Sequence, residues 1–146
     1  MNLETSRFGT LEVDPGRILL LPDGLVGMPS DRHWVLLRES STEAVGWLQS
    51  LTDPELALPV VAPQRFVLNY RLRIHRREVA SLPWSPRDQV MVLAIVSKTS
   101  GLLTLNLRAP VMVNLDRLLG RQVVSCDEQP LQYVLPNQYA PMRQVA

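Results

Sequence analysis

Cysteine pairs, glycine-rich loops, long apolar runs and an excess of charge of either sign are all missing from this chain of 146 residues. Cys126 is the only cysteine, so neither an internal disulfide framework nor a cysteine-based zinc site can be built, and nothing calls for an oxidising compartment. The glycines Gly24 and Gly27 lack the lysine and the following helix of a phosphate-binding loop. The longest apolar stretches, Val90 to Val96 and Pro110 to Val113, fall far short of the ~20 residues that span a bilayer. Met1 to Asp14 carries Glu4, Arg7 and Glu12 where a signal peptide would be apolar. With 15 basic and 14 acidic residues the formal charge is +1, and no global field favours nucleic acid or an anionic membrane. A soluble, cytoplasmic protein with no membrane partner is expected.

Catalytic and metal chemistry is equally thin. Ser30, Asp31 and His33 are close in sequence, but their spacing fits a polar loop rather than a nucleophile elbow. His33, His75, Cys126 and the scattered carboxylates show none of the short paired spacings of metal ligands. Asp53-Pro54-Glu55 is better explained as a turn than as a pair of acid and base, because aspartate caps local amides and proline fixes the bend. No catalytic residue, metal or cofactor is expected, and the chain does not look like an enzyme.

What the chain does have is proline, 12 in all, spread from Pro15 to Pro141. A proline inside a helix costs ~3 kcal/mol or more, so long helices are excluded and a mostly β chain follows. Short runs rich in Val, Ile and Leu lie between the breaks: 9–13, 18–21, 34–37, 44–49, 56–62, 90–98, 102–107, 111–114 and 122–125. Such runs with turn signals between them predict a sandwich or barrel. Val90 to Val96 is apolar without alternation, as a central strand covered on both faces would be. The alternating Leu103 to Arg108 run should pair with it through Ser100-Gly101 as an antiparallel hairpin. The helical candidates are both short: 76–82, stopped by Pro83, and a turn around 63–70. About one domain is expected, residues 1–128, with residues 129–146 as an extended tail.

The main charge feature is Tyr70-Arg71-Leu72-Arg73-Ile74-His75-Arg76-Arg77. In a strand, Arg71, Arg73 and His75 would share one face, a basic edge that could contact phosphates. The favoured alternative is an edge strand whose charges discourage sheet-to-sheet aggregation. A third possibility, a small-molecule barrel lined by Trp34, Trp47 and Trp84, competes with the commoner role of tryptophan as a core anchor, and no small-molecule ligand is expected.

Three blocks stand in fixed order: Gly46-Trp47-Leu48-Gln49-Ser50 with Asp53-Pro54, then Leu105-Asn106-Leu107-Arg108-Ala109-Pro110, then Gly120-Arg121-Gln122-Val123-Val124. With Phe8-Gly9, Asp23-Gly24-Leu25-Val26-Gly27-Met28 and Trp34-Val35-Leu36-Leu37 before them, they resemble the flagellar assembly factor FliW family over nearly the whole chain. That resemblance implies a flattened, mostly antiparallel β-barrel with one or two short helices. It also implies a cytoplasmic partner switch that binds flagellin and, once flagellin is secreted, binds the translational repressor CsrA and so relieves repression of flagellin messenger RNA. Gly24, Gly27, Gln49, Asp53, Asn106 and Pro110 are the motif residues, expected to shape turns rather than touch partners. Pro63, Phe66 and Tyr70 resemble a family segment suited to a partner interface, with Arg71 and Arg73 beside it; the alternative is a loop packed on its own core. The chain departs from the family in the basic run, where many members are acidic, in Leu58-Pro59, where an aromatic often stands, and in the spacing of Tyr139 and Arg143.

Overall fold

The computed structural model of the chain describes residues 1–38, 44–80 and 82–136. Its strands, in chain order, are β1 (Asn2–Thr5), β2 (Gly9–Glu12), β3 (Ile18–Leu20), β4 (His33–Arg38), β5 (Gly46–Ser50), β6 (Ala57–Val61), β7 (Val90–Thr99), β8 (Leu102–Leu105), β9 (Val111–Asn114), β10 (Leu119–Gln122) and β11 (Tyr133–Val134). Helical structure among the described residues is limited to three single 3-10 turns, Pro15–Arg17, Pro63–Arg65 and Arg76–Glu78. Proline opens the first two, where its missing N–H costs nothing. The helix predicted over 76–82 is therefore reduced to one turn, which Val79 ends by leaving helical geometry at φ −120°.

β7 organises the sheet. Its first half pairs with β9 and its second half with β8, while Ala94 and Ile95 pair with β6. The order β7-β6-β5-β4-β3-β10-β9 then returns to β7 and closes a seven-stranded barrel, antiparallel except for the β3–β10 contact. The β6–β7 ladder holds only Val60↔Ile95 and Val61↔Ala94, ending one residue before Pro59, which has no N–H to offer a ladder. The predicted hairpin at Ser100-Gly101 is present, both residues taking the positive φ (51° and 78°) of a two-residue turn.

Register assigns the side chains to two layers. Trp34 faces Ser50, Leu36 faces Leu48, and Leu48 faces Leu58, so these side chains share one face. That face is the barrel interior, where Leu19, Trp34, Leu48, Val60, Leu93, Val111 and Val113 pack together. A fully buried leucine or valine contributes roughly 1.5–3 kcal/mol, so this cluster is the main driving force for closure. The opposite face carries Val61, Ala94, Val96 and Leu105, and it is buried too, with Tyr70, Leu103, Leu107 and Leu135 in a second cluster outside the barrel. Trp47, also on the outer face, is covered by the β1–β2 ribbon. Phe8 meets its ring edge-on at 5.6 Å and the Arg7 guanidinium lies 4.4 Å from its centre.

Three elements differ from the sequence reading. The strand expected over 122–125 is instead Leu119–Gln122, because the Asn114 side-chain oxygen accepts from the amides of Asp116 and Arg117 and Leu118 takes φ 54°, which tightens the preceding turn. β1 was not expected; it is short and polar. β11 lies in the stretch read as a tail, where it pairs with β8 and brings Leu135 into the outer cluster. Tyr139 and Arg143 lie outside the described residues.

Candidate partner-binding surface

The chain from Ala62 to Glu78 crosses the outer cluster as a strap, and its local sequence explains its shape. Pro63 opens a 3-10 turn, Val67 N donates to Pro63 O at 2.9 Å, and Tyr70 N donates to Val67 O at 3.2 Å. Asn69 takes φ 61°, a left-handed conformation that asparagine tolerates better than most residues. Tyr70 is only 6% exposed, and its hydroxyl donates to Leu107 O at 2.8 Å. Burial raises the phenol pKa above its ordinary value. Phe66, Val67 and Leu72 pack against the same cluster. Pro63 and Tyr70 are thus anchors turned inward, and Phe66 is half-buried beside them.

The large apolar residue that the strap presents to solvent is one that sequence reasoning missed. Leu68 is 88% exposed at the tip of the strap. Asn69 was the available signal, since an asparagine after a hydrophobic run marks a position of positive φ.

Beyond the tip, residues 71–75 are extended and alternate as a strand would, with Arg71, Arg73 and His75 outward and Leu72 and Ile74 half-buried. They belong to no sheet ladder, so the edge strand assumed for this run is absent. The run is held instead by the segment after β10: Cys126 N donates to Arg73 O at 2.7 Å, and the Arg73 guanidinium grips Asp127 in a two-pronged pair at 2.9 and 3.2 Å. Glu78 is engaged by Arg121 at 3.6 Å. Arg65, Arg71, Arg76 and Arg77 form no ion pair among the described residues.

Gly24, Gly27, Asp53 and Asn106 sit at turns, whereas Gln49 lies in β5 and reaches the following turn with its side chain. Gly24 has φ 63°, and a Cβ there would lie 2.4 Å from Met28 O; Gly27 has φ 83° in open space. Gln49 is fully buried, its amide nitrogen donating to Ser50 O at 3.0 Å, with Asp53 O and Pro54 O at 3.4 and 3.5 Å. Asp53 caps the same turn by accepting from Glu55 N at 3.0 Å. Asn106 Oδ1 accepts from Arg108 N and Ala109 N, and buried Pro110 accepts from Val123 N at 2.9 Å. One further polar hub had no sequence signal: Asp88 accepts from Ser85 N at 2.9 Å, Asn114 Nδ2 at 2.8 Å and Arg117 Nε at 2.6 Å. The Ser85 amide, with Arg117 and Asn114, holds its carboxyl down at about 2.

Chemistry is not assembled elsewhere on the described surface. Asp31 accepts from Ser50 Oγ and Thr52 Oγ1, bracing a turn rather than orienting His33. No three His, Cys, Asp or Glu side chains converge as metal ligands among the described residues. A cleft of about 860 Å³ is lined by Leu11, Val13 and Arg17 at and after the β1–β2 ribbon and by Leu36, Val60 and Leu93 of the barrel, among others, and none of the three tryptophans borders it. Trp34 is inside the barrel and Trp47 outside it, so the shared aromatic cavity is not formed. No described helix is long and apolar enough to cross a membrane.

The molecule is a closed β-barrel overlaid on its outer face by a strap and a ribbon. The crystal structure of the flagellar assembly factor FliW has the same fold, with a TM-score of 0.87 at 22% identity, covering 94% of this chain and 99% of that one. The FliW protein family model matches residues 2–135. Flagellar assembly factor FliW of Geobacter sulfurreducens is 36% identical over 126 residues, covering 85% of this chain and 79% of that protein. That of Bdellovibrio bacteriovorus is 34% identical over 129 residues, covering 87% and 74%. The chain belongs to the FliW family of flagellar assembly factors.

Proposed function

We propose that this chain is a cytoplasmic partner switch that binds flagellin and the translational repressor CsrA in mutually exclusive complexes. Flagellin occupies the protein until it is exported. The protein so released binds CsrA and relieves repression of flagellin messenger RNA. The observation that carries this reading is membership of the FliW family across residues 2–135. The described surface supports it, because it offers contact area and charge rather than a reaction centre. The physics needed is linkage alone: two ligands that exclude each other on one protein make the free concentration of each depend on the other.

Calorimetric titration with CsrA from the same organism, repeated in the presence of flagellin, tests the proposal. Saturable binding of CsrA that flagellin abolishes is the expected result. Simultaneous binding of both proteins would overturn the exclusion, and binding of neither would overturn the function. Direct nucleic-acid binding through the run from Arg71 to Arg77 is the weaker reading, because Arg73 is neutralised by Asp127 and the adjacent aromatic Tyr70 is turned inward.

A further inference from the structure

The strap combines three features that rarely coincide on a surface left to solvent. The first is an apolar knob: Leu68 is 88% exposed, higher than any other large hydrophobic described as exposed. The second is rigidity. The knob occupies the turn closed by Tyr70 N to Val67 O, and the chain on both sides is pinned by inward-facing residues, Pro63 before it and Tyr70 with its bond to Leu107 O after it. A preorganised backbone turn limits the freedom lost on docking to that of the leucine side chain itself. The third is charge of one sign. Arg65 and Arg71 stand three residues to either side of Leu68, and Arg76 and Arg77 follow. None of the four has an ion-pair partner among the described residues, whereas the neighbouring carboxylates Glu78 and Asp127 are already held by Arg121 and Arg73.

From this arrangement we infer that Leu68, Arg65 and Arg71 form the docking face for a protein partner that presents an apolar recess ringed by carboxylates. Leucine fills a pocket but offers no ring for a nucleobase to stack on, and the aromatics that could stack, Phe66 and Tyr70, pack on the outer cluster. The recess therefore belongs to a protein rather than to RNA. Arginine suits the rim, because its planar fork pairs with carboxylates in two-pronged fashion and is less costly to desolvate than an ammonium. The inference rests on the partner-binding function proposed above and assigns it a surface.

The test measures binding of purified CsrA and of purified flagellin to the wild type and to three variants: Leu68→Asp, the double variant Arg65→Glu/Arg71→Glu, and Arg87→Glu as a remote control of the same charge type. Far-UV circular dichroism and a sizing column verify folding, which the exposure of all the altered side chains favours. The expected result is a loss of at least ~10-fold in affinity for one partner or both in each strap variant, with the control unchanged and wild-type binding weakened by salt. Strap variants that bind both proteins like the wild type would overturn this surface and leave the partner switch standing. A loss confined to only one of the two strap variants would overturn the combined knob and rim. Binding of neither protein by the wild type would overturn both proposals. A parallel titration with single-stranded RNA in which the wild type binds, Arg65→Glu/Arg71→Glu does not, and the two proteins give no signal would make the strap a phosphate-contacting surface and overturn the inference.

Discussion

Two glycines three residues apart do different work, and their difference is measurable. Gly24 combines φ 63° with backbone so close that a Cβ would lie 2.4 Å from Met28 O and 2.7 Å from Pro29 Cα, while Gly27 has φ 83° but nothing within 4 Å. Gly24→Ala must both strain its own backbone, at about 1–3 kcal/mol, and push the Pro29 segment aside. Gly27→Ala carries only the conformational cost, about 1–2 kcal/mol. Urea unfolding is expected to give a lower midpoint for Gly24→Ala than for Gly27→Ala, with unchanged slope. Asp88 makes a prediction in pH. Its carboxyl is held at about 2 in the folded protein, below the ordinary 3.8, so it stabilises the fold above pH 4 and that contribution is lost as pH falls through about 2. The stability gap between wild type and Asp88→Asn is therefore expected to be widest near neutrality and to close on acidification, as read from urea midpoints over a pH series. The glycine pair was legible as a turn because glycine at such spacing has a backbone meaning. Asp88 was not, because its partners Asn114 and Arg117 are 26 and 29 residues away and no local pattern joins them.

At the level of elements, legibility followed the balance of local and distant causes. β7, β4 and β6 announced themselves through apolar runs, and the Ser100-Gly101 hairpin through its turn chemistry. β10 was displaced because the apolar run over 122–125 drew the expected strand past Gly120, although Gly120 is needed in the ladder: a Cβ there would sit 3.1 Å from Leu21 Cδ1 and 3.2 Å from Met112 O. β11 exists because β8 offers an edge to pair with, which its own two residues do not reveal. The first half of the strap was legible as a turn around 63–70 while 71–77 was read as an edge strand, and which of its residues face inward depends on Leu107, far along the chain. Tyr70→Phe tests that attachment. It leaves the buried Leu107 carbonyl without its donor, an expected cost of about 1–3 kcal/mol. Amide hydrogen exchange should quicken in residues 66–74 more than in β5 and β6, whereas uniform quickening would mean that the strap and barrel open together.

The whole molecule is two apolar layers sharing one wall. Leu93 of β7 points into the barrel cluster and its neighbour Ala94 into the outer cluster, so neither layer can lose β7 without exposing the other. This arrangement is reached through pairings that no local window contains, above all the closure of β7 on β9 and the pairing of β3 with β10, and it is why the strand pattern left sandwich and barrel open and only the family resemblance pointed to the barrel that is found. A shared central strand predicts one cooperative transition. Trp34 lies inside the barrel and Trp47 on the outer face under Phe8, so each reports on one layer. With Trp84 also replaced by Phe, Trp34→Phe and Trp47→Phe each leave the other as the layer-specific probe, and fluorescence unfolding curves of the two variants, each compared with its own circular dichroism, should superimpose within each variant. Against that background Leu48→Ala, in the barrel, and Leu107→Ala, in the outer cluster, should each cost about 2–5 kcal/mol and shift every probe together. Separate transitions for fluorescence and circular dichroism in either variant would show that the outer layer unfolds on its own. The strap would then be a detachable cover, and its surface would be set by a local equilibrium rather than by the stability of the barrel beneath it.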